Sequence, residues 1–371
     1  MRPHSAALDD VLLDSHSRRL LVDVFHGPDR VMEGVELTDW ELSGDLTRDV
    51  KISGSATVAY QSVSGESLVP VGTAGTLSPF RARLLLTMET SNGTFVERNV
   101  LGWFRLVTAP SGTDYFTETP FGRFVVASVV EVEFRSLEEN VRRRGFRFPE
   151  QPPKLASTYD ELRRVTGMTV VTSVADKAIP AGTTYETSRG GRLKATQTLW
   201  DNLGCIGVID SNGAWIGIPK DAGDPVTTLA LGERGTVVDI GYQVETDEIY
   251  NCVVGTFEDA ERNPIYSVAE VSTGDLATRG FYGENTLPYN HPTPVSSQVA
   301  ADRITRSILS QSIGGQTYQV PISCVANPVI ELGDVVEVDG YTRPLQGRLI
   351  QFRLSKAALM DVTLEVQRSL T

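Results

Sequence analysis

VIELGDVVEVDG (residues 329–340) carries Glu331, Asp334, Glu337 and Asp339 within twelve positions. Taken as a loop, it points to a carboxylate cluster for metal or proton chemistry. Taken as a strand, it points to a sheet with one wet face. Side-chain parity decides between them, because successive residues of a strand project to opposite faces. Val335, Glu337 and Asp339 then share one face, and Asp334, Val336 and Val338 the other. Asp334 is thereby separated from Glu337 and Asp339. A calcium loop needs oxygen ligands at alternate positions of one frame and a glycine in the turn. Val336 and Val338 occupy that frame here. The stretch therefore reads as a turn at Gly333-Asp334 entering a strand, with Glu337 and Asp339 solvated or facing another subunit.

The same alternation extends through much of the chain. Upstream, LLVDVF (20–25), SGSATVAYQS (53–62), FRARLLLTMET (80–90), TFVERN (94–99), GWFRLVTA (102–109) and RFVVASVVEVEF (123–134) read as strands. Asn92-Gly93 is expected to supply the positive φ angles of a hairpin turn. In the last of these strands Val126, Val130, Val132 and Phe134 are expected on one face, alternating with Glu131 and Glu133. Downstream, residues 236–245, 249–257, 264–271, 316–325, 334–340, 347–356 and 360–368 read as strands, and 273–294, rich in Gly, Asn and Pro, as a long loop.

Helices are few. SLEENVRRRG (136–145) opens with the S-x-x-E spacing of a capping box, Ser136 to Glu139, and Gly145 can end it. Thr158 and Glu161 have the same spacing in STYDELRRVTG (157–167). In residues 192–204, Leu193, Thr196, Leu199, Trp200 and Leu203 share a helix face that stops at Gly204, and Asn212-Gly213 then turns a hairpin. The longest helix is expected over 294–313, starting from Thr293 and Pro294, with Ala300, Ile304 and Ile308 along one line and Gly314-Gly315 as its stop. Pro149, Pro152 and Pro153 mark a domain boundary.

The chemistry these residues exclude is broad. The chain has 371 residues and a formal net charge of −13, which disfavours tight binding to polyphosphate. Cys205, Cys252 and Cys324 are widely spaced and sit beside aliphatic residues, as buried thiols do. The four histidines (His4, His16, His26 and His291) have no metal-binding spacing. No GxSxG, P-loop or GxGxxG pattern occurs. The expectation is no catalytic residue, no metal and no cofactor. No apolar run reaches a membrane-spanning length, and the acidic first residues do not read as a secretory signal. Two features stand out as contact surfaces. One is the basic run Arg142, Arg143, Arg144 and Arg147, either a solvated helix end or a contact with an acidic neighbouring subunit or with phosphate. The other comprises the loop aromatics Phe281, Tyr282 and Tyr289, either packed within the loop or anchoring a subunit contact.

The order of these stretches resembles a known family. DEIYNCVVGTFED (247–259), SSQVAADRITRSIL (296–309), NPVIELGDVVEVDG (327–340), LKATQTLWDNLGCIGVIDSNGAWIGIPK (193–220) and ELSGDLTRDVKISGSATV (41–58) together are similar to the tail-hub, or baseplate-hub, minor tail proteins of long-tailed bacteriophages, especially those infecting actinobacteria. The resemblance covers nearly the whole chain; each motif alone is weak, and their order carries it. It implies a mainly β fold with an α+β insert. Two tail-tube-like β-barrel or sandwich regions, 1–148 and 229–371, would flank a small mixed domain, 149–228, with one long helix in the C-terminal region. It also implies a non-enzymatic homotrimer at the virion tail tip, assembled in the host cytoplasm. The partners would be the tail tube protein, the distal tail protein, the tape measure protein and other minor tail proteins. DNA would pass through without specific binding. The alternative is a cell-wall carbohydrate-active hydrolase or a glycan-binding tail-tip module.

Overall fold

A computed structural model describes residues 1–62, 65–120, 122–221, 223–232, 235–241, 249–259, 261–291, 295–314, 317–339 and 344–367. The fold is mainly β, as expected. The chain divides into two compact units, Met1–Ile240 with Ile322–Leu364, and Gly241–Pro321 with Glu365–Thr371.

The first unit begins with α1 (Ala6–Leu12), β1 (Ser17–His26), β2 (Asp29–Asp45), β3 (Ile52–Gln61), β4 (Ala82–Asn92), β5 (Phe95–Thr108), β6 (Gly112–Thr119) and β7 (Gly122–Ser136). Antiparallel pairing runs β1-β4-β5-β7-β3-β2 and returns from β2 to β1, closing a six-stranded barrel without free edges. Its core is built from alternate residues such as Leu20, Val22, Val24, Val58, Leu84, Leu86, Met88, Phe104, Val130, Val132 and Phe134, all buried. Phe104 and Phe134 meet edge to face at 5.3 Å. Val126 departs from the expected face and is 42% exposed. Tyr115 pairs with Ala127 and Phe116 with Val125, so Val126 is a bulge residue and parity reverses there. In the β4–β5 turn only Gly93 takes a positive φ; Asn92 pairs with Phe95.

β2 is long enough to serve two partners on one edge. Residues 29–37 pair with β1, and Glu41–Asp45 pair with β17 (Leu345–Ser355) further along the chain. Between them the register shifts, and Asp39 adopts φ 47°. The bulge thus redirects β2 from the barrel into a second run of strands, β17 with its neighbours β16 (Val335–Asp339), β18 (Leu359–Gln367) and β15 (Thr317–Val325). Thr227–Ala230, β10, adds to β16 in parallel, and Val237–Ile240, β11, adds to β15. Residues 242–245 of the expected 236–245 strand lie outside the described residues.

After β7 come α2 (Glu138–Arg142), α3 (Thr158–Thr166), α4 (Gly191–Leu203), β8 (Cys205–Ile209) and β9 (Trp215–Pro219). All five expected face residues of α4 are buried, and Gly204 ends it at φ 78°. Neither capping box forms as expected. Ser136 is the last residue of β7, and its hydroxyl serves Ile52 instead. At α3 the cap lies one residue earlier, where Ser157 Oγ accepts from Asp160 N. Thr158 lies inside the helix and donates to Lys177 O.

The second unit contains β12 (Cys252–Glu258), β13 (Pro264–Glu270), β14 (Thr286–Asn290) and α5 (Gln298–Gly314). β14 corrects the expectation of an unbroken loop over 273–294. It lies parallel to β12 at the sheet edge, where Pro288 needs no second partner for the donor it lacks. α5 starts at Gln298, with Ala300 N bonded to Ser297 Oγ, rather than at the expected 294. Residues 293, 294 and 315, the expected start and stop, lie outside the described residues. Its buried line is Ala301, Thr305 and Leu309; Ala300, Ile304 and Ile308 are partly buried beside it.

Candidate functional site

The basic run gathers around one acid. Glu139, on the first turn of α2, has its side chain 2% exposed. Arg135 lies four residues before it, and Arg142 and Arg143 lie three and four after, so helical spacing and the end of β7 aim all three at it. Arg143 Nε donates to Oε1 at 2.7 Å, and Arg142 Nε donates to Oε2 at 2.9 Å. Arg135 Nη1 reaches Oε2 at 3.4 Å. Burial alone would raise the Glu139 pKa. The bond from Arg143, with the charges and bonds of Arg142 and Arg135, outweighs burial and holds it below the usual carboxylate range.

A cavity of about 420 Å³ opens here, lined by Arg135, Glu139, Arg142, Arg143 and Arg189. Arg189 is exposed and makes no ion pair among the described residues. Nearby, Arg105 is pushed below its ordinary pKa by burial and then by the field of Arg143, with Arg144 adding to it. Of the other basic residues expected to form contacts, Arg144 turns away to donate to Thr166 O at 3.3 Å, and Arg147 is exposed. In sequence Glu139 reads as part of a capping box, which misses it as the centre, although its three- and four-residue spacing to Arg142 and Arg143 is a signal for that role; no local signal brings in Arg189.

The aromatic group does not act together. Asn251, fully buried, donates through Nδ2 to Leu276 O at 2.9 Å and Gly283 O at 2.6 Å. Its Oδ1 accepts from Asn285 N at 2.7 Å. Tyr282 Oη donates to Ile249 O at 2.6 Å. These bonds pin both flanks of the loop while Phe281 between them is fully exposed. Tyr289 packs inward beside Phe257 and bonds His291 at 2.9 Å. Of the three aromatics, Phe281 alone presents its ring to solvent.

Within residues 329–340, Val335–Asp339 form a strand, β16. Val335, Val336 and Val338 are buried, Glu337 is half-buried and Asp339 is exposed. Gly333 makes the turn at φ 87°. The two upstream acids are engaged rather than solvated. Asp334 accepts from the Met1 ammonium at 2.5 Å and from Glu331 N at 2.7 Å, and Glu331 pairs with Arg2 at 3.3 Å. Arg2 is buried and donates to Pro328 O at 2.7 Å. A second cavity, about 280 Å³, lies against these residues and includes Lys51, Glu138 and Asp210. Burial raises the Glu138 pKa and lowers that of Lys51. Lys51 Nζ is held by Leu46 O and Arg48 O, each at 2.7 Å, and Asp210 Oδ1 accepts from Asn212 N and Ala214 N. Among the described residues no group of three His, Cys, Asp or Glu is placed to hold a metal ion.

No protein-family profile and no curated protein sequence matches the chain. Solved structures do. The chain is similar in fold to the tail protein from Neisseria meningitidis MC58, at TM-score 0.55 and 10% identity, over 93% of this chain and 96% of that one. It is similar also to the prophage MuSo2 43 kDa tail protein from Shewanella oneidensis, at TM-score 0.57 and 11% identity, over 94% of this chain and 98% of that one.

Proposed function

We propose that this chain is a structural, non-enzymatic subunit of a phage-type tail. In this reading it is the hub at the distal end of the tail tube, in the virion tail tip. The observation that carries the reading is the fold likeness to two tail proteins along nearly the full length of both chains. The order of sequence motifs supports the hub in particular. So does a closed barrel continued through β2 into a second run of strands, because two tube-like regions per subunit would let three chains imitate a six-subunit ring.

The proposed partners are two further copies of the chain, the tail tube, distal tail and tape measure proteins, and other minor tail proteins. DNA passes through the lumen without being held. Residues 1–148 and 229–371 supply the tube-like regions, and 149–228 packs as a mixed insert. The basic cluster and the 281–289 aromatics serve subunit contacts, with Phe281 the exposed anchor and Tyr282 and Tyr289 supporting its loop. Electron microscopy of assembled particles, with this chain labelled, tests the proposal. A threefold ring of the chain at the tube end supports it. Absence from the particle, or a position on the shaft or capsid, overturns it.

A further inference from the structure

Four arginines and one glutamate line the pocket beside α2. Glu139 engages Arg135, Arg142 and Arg143 through both of its oxygens. Arg143 reaches it through Nε, which leaves its two terminal nitrogens as donors, and Arg189 contributes a whole guanidinium. Three arginines share the single carboxylate of Glu139 and a fourth lines the pocket beside them, so cations outnumber the acid here. The rest of the chain is opposite in sign, at −13 overall.

We propose that the pocket receives carboxylate side chains from a second copy of this chain, as a subunit contact of the oligomer. The inference rests on the homo-oligomeric reading above and names the chemistry of one of its contacts. Planar guanidinium forks match carboxylates and bind them through paired N–H donors. Shape separates this occupant from nucleic acid. A duplex presents a row of phosphates, which a stripe of cations would track, whereas these arginines converge on one cavity. Charge separates it too. Approaching DNA meets an acidic chain, whereas a second copy brings its own surplus of carboxylates. A pocket on one face meeting acids on a different face makes a head-to-tail contact, the kind that closes into a ring.

The test uses the full chain and its Arg189→Glu variant. Among the described residues Arg189 makes no ion pair, so the variant is expected to keep its thermal melt. Sedimentation across a concentration series should show self-association weakened about tenfold or more by Arg189→Glu, little by Arg189→Lys, and in the wild type by raising salt from physiological to roughly molar. Undiminished association in Arg189→Glu and in a charge-reversed Arg142→Glu variant that still folds overturns the inference while leaving the hub reading intact. A wild type that stays monomeric at every concentration also overturns it, and the position of the chain in the particle then judges the hub reading separately. Loss of binding to a short duplex DNA in Arg189→Glu, with association unchanged, assigns the pocket to phosphate and overturns it likewise.

Discussion

Trp200 lies against Gly207 so closely that a Cβ on the glycine would overlap the indole Cδ1. On the neighbouring strand, a Cβ at Gly217 would stand 2.6 Å from Trp200 Cζ3. The two glycines pair directly across the β8–β9 hairpin, and together they form the bare patch on which the indole rests. Trp200 is 1% exposed and meets Tyr159 edge to face at 5.9 Å, so it has no room to retreat. Gly207→Ala is therefore expected to destabilise the first unit by about 1–3 kcal/mol through overpacking. Trp200→Leu should cost more than that alone, yet Gly207→Ala should cost much less in its background. Urea denaturation of the four proteins gives the coupling, and additive effects would refute the packing argument.

Glu139 neutralises arginines that otherwise repel one another. Glu139→Gln is expected to cost about 1–3 kcal/mol at neutral pH, less than a fully buried pair because the arginines are partly exposed. Its pKa in the folded chain lies below the ordinary 4.5. Its stabilising contribution is thus complete above that value and is lost as pH falls through the folded pKa. The stability gap between wild type and Glu139→Gln should narrow on acidification below about pH 4.5. A gap that stays constant from neutral pH into that range would rule out the ionic account.

How much of this could be read from the residues alone depended on whether the signal was local. β16 followed from parity, and α4 from its buried face and Gly204, because period and stop signal sit in consecutive residues. β14 was missed because Pro288 and its neighbours resemble a loop; only the edge position against β12 makes a strand there tolerable. Val126 faced the wrong way because a bulge depends on what the partner strand omits. The basic pocket was half visible. Arg142 and Arg143 stood out as a run, but Arg189 joins them through the fold. Gly333-Asp334 read correctly as a turn entry, but the ion pairs of Glu331 and Asp334 were not legible, since nothing near them in sequence indicates that residues 1 and 2 return to meet them.

Asn251 is the staple of the loop that displays Phe281. Asn251→Ala removes two N–H donors from the carbonyls of Leu276 and Gly283 and one acceptor from the amide of Asn285, at a residue that is itself fully buried. The loop from Val271 to Asn285 should then open locally. Trypsin cleavage after exposed Arg279 should rise by about tenfold or more, with the first unit's melt unchanged. Unchanged cleavage would mean the loop holds its shape without Asn251.

The three cysteines test the packing of both units at once. Cys205, Cys252 and Cys324 are 1%, 2% and 0% exposed. Burial pushes all three thiols above their ordinary pKa, Cys324 to about 12, where Asp361 adds to the effect. A thiolate is the reactive species, so raised pKa and lost access act in the same direction. At mildly alkaline pH the folded chain should be almost inert to iodoacetamide, and the unfolded chain should take up three equivalents. Cys252 is the informative site, because it opens β12 beside the Asn251 staple. In the Asn251→Ala chain it should label first, while Cys205 in β8 and Cys324 in β15 stay protected. Equal labelling of all three in that variant would mean that the loss of the staple is felt globally, against the local opening argued here.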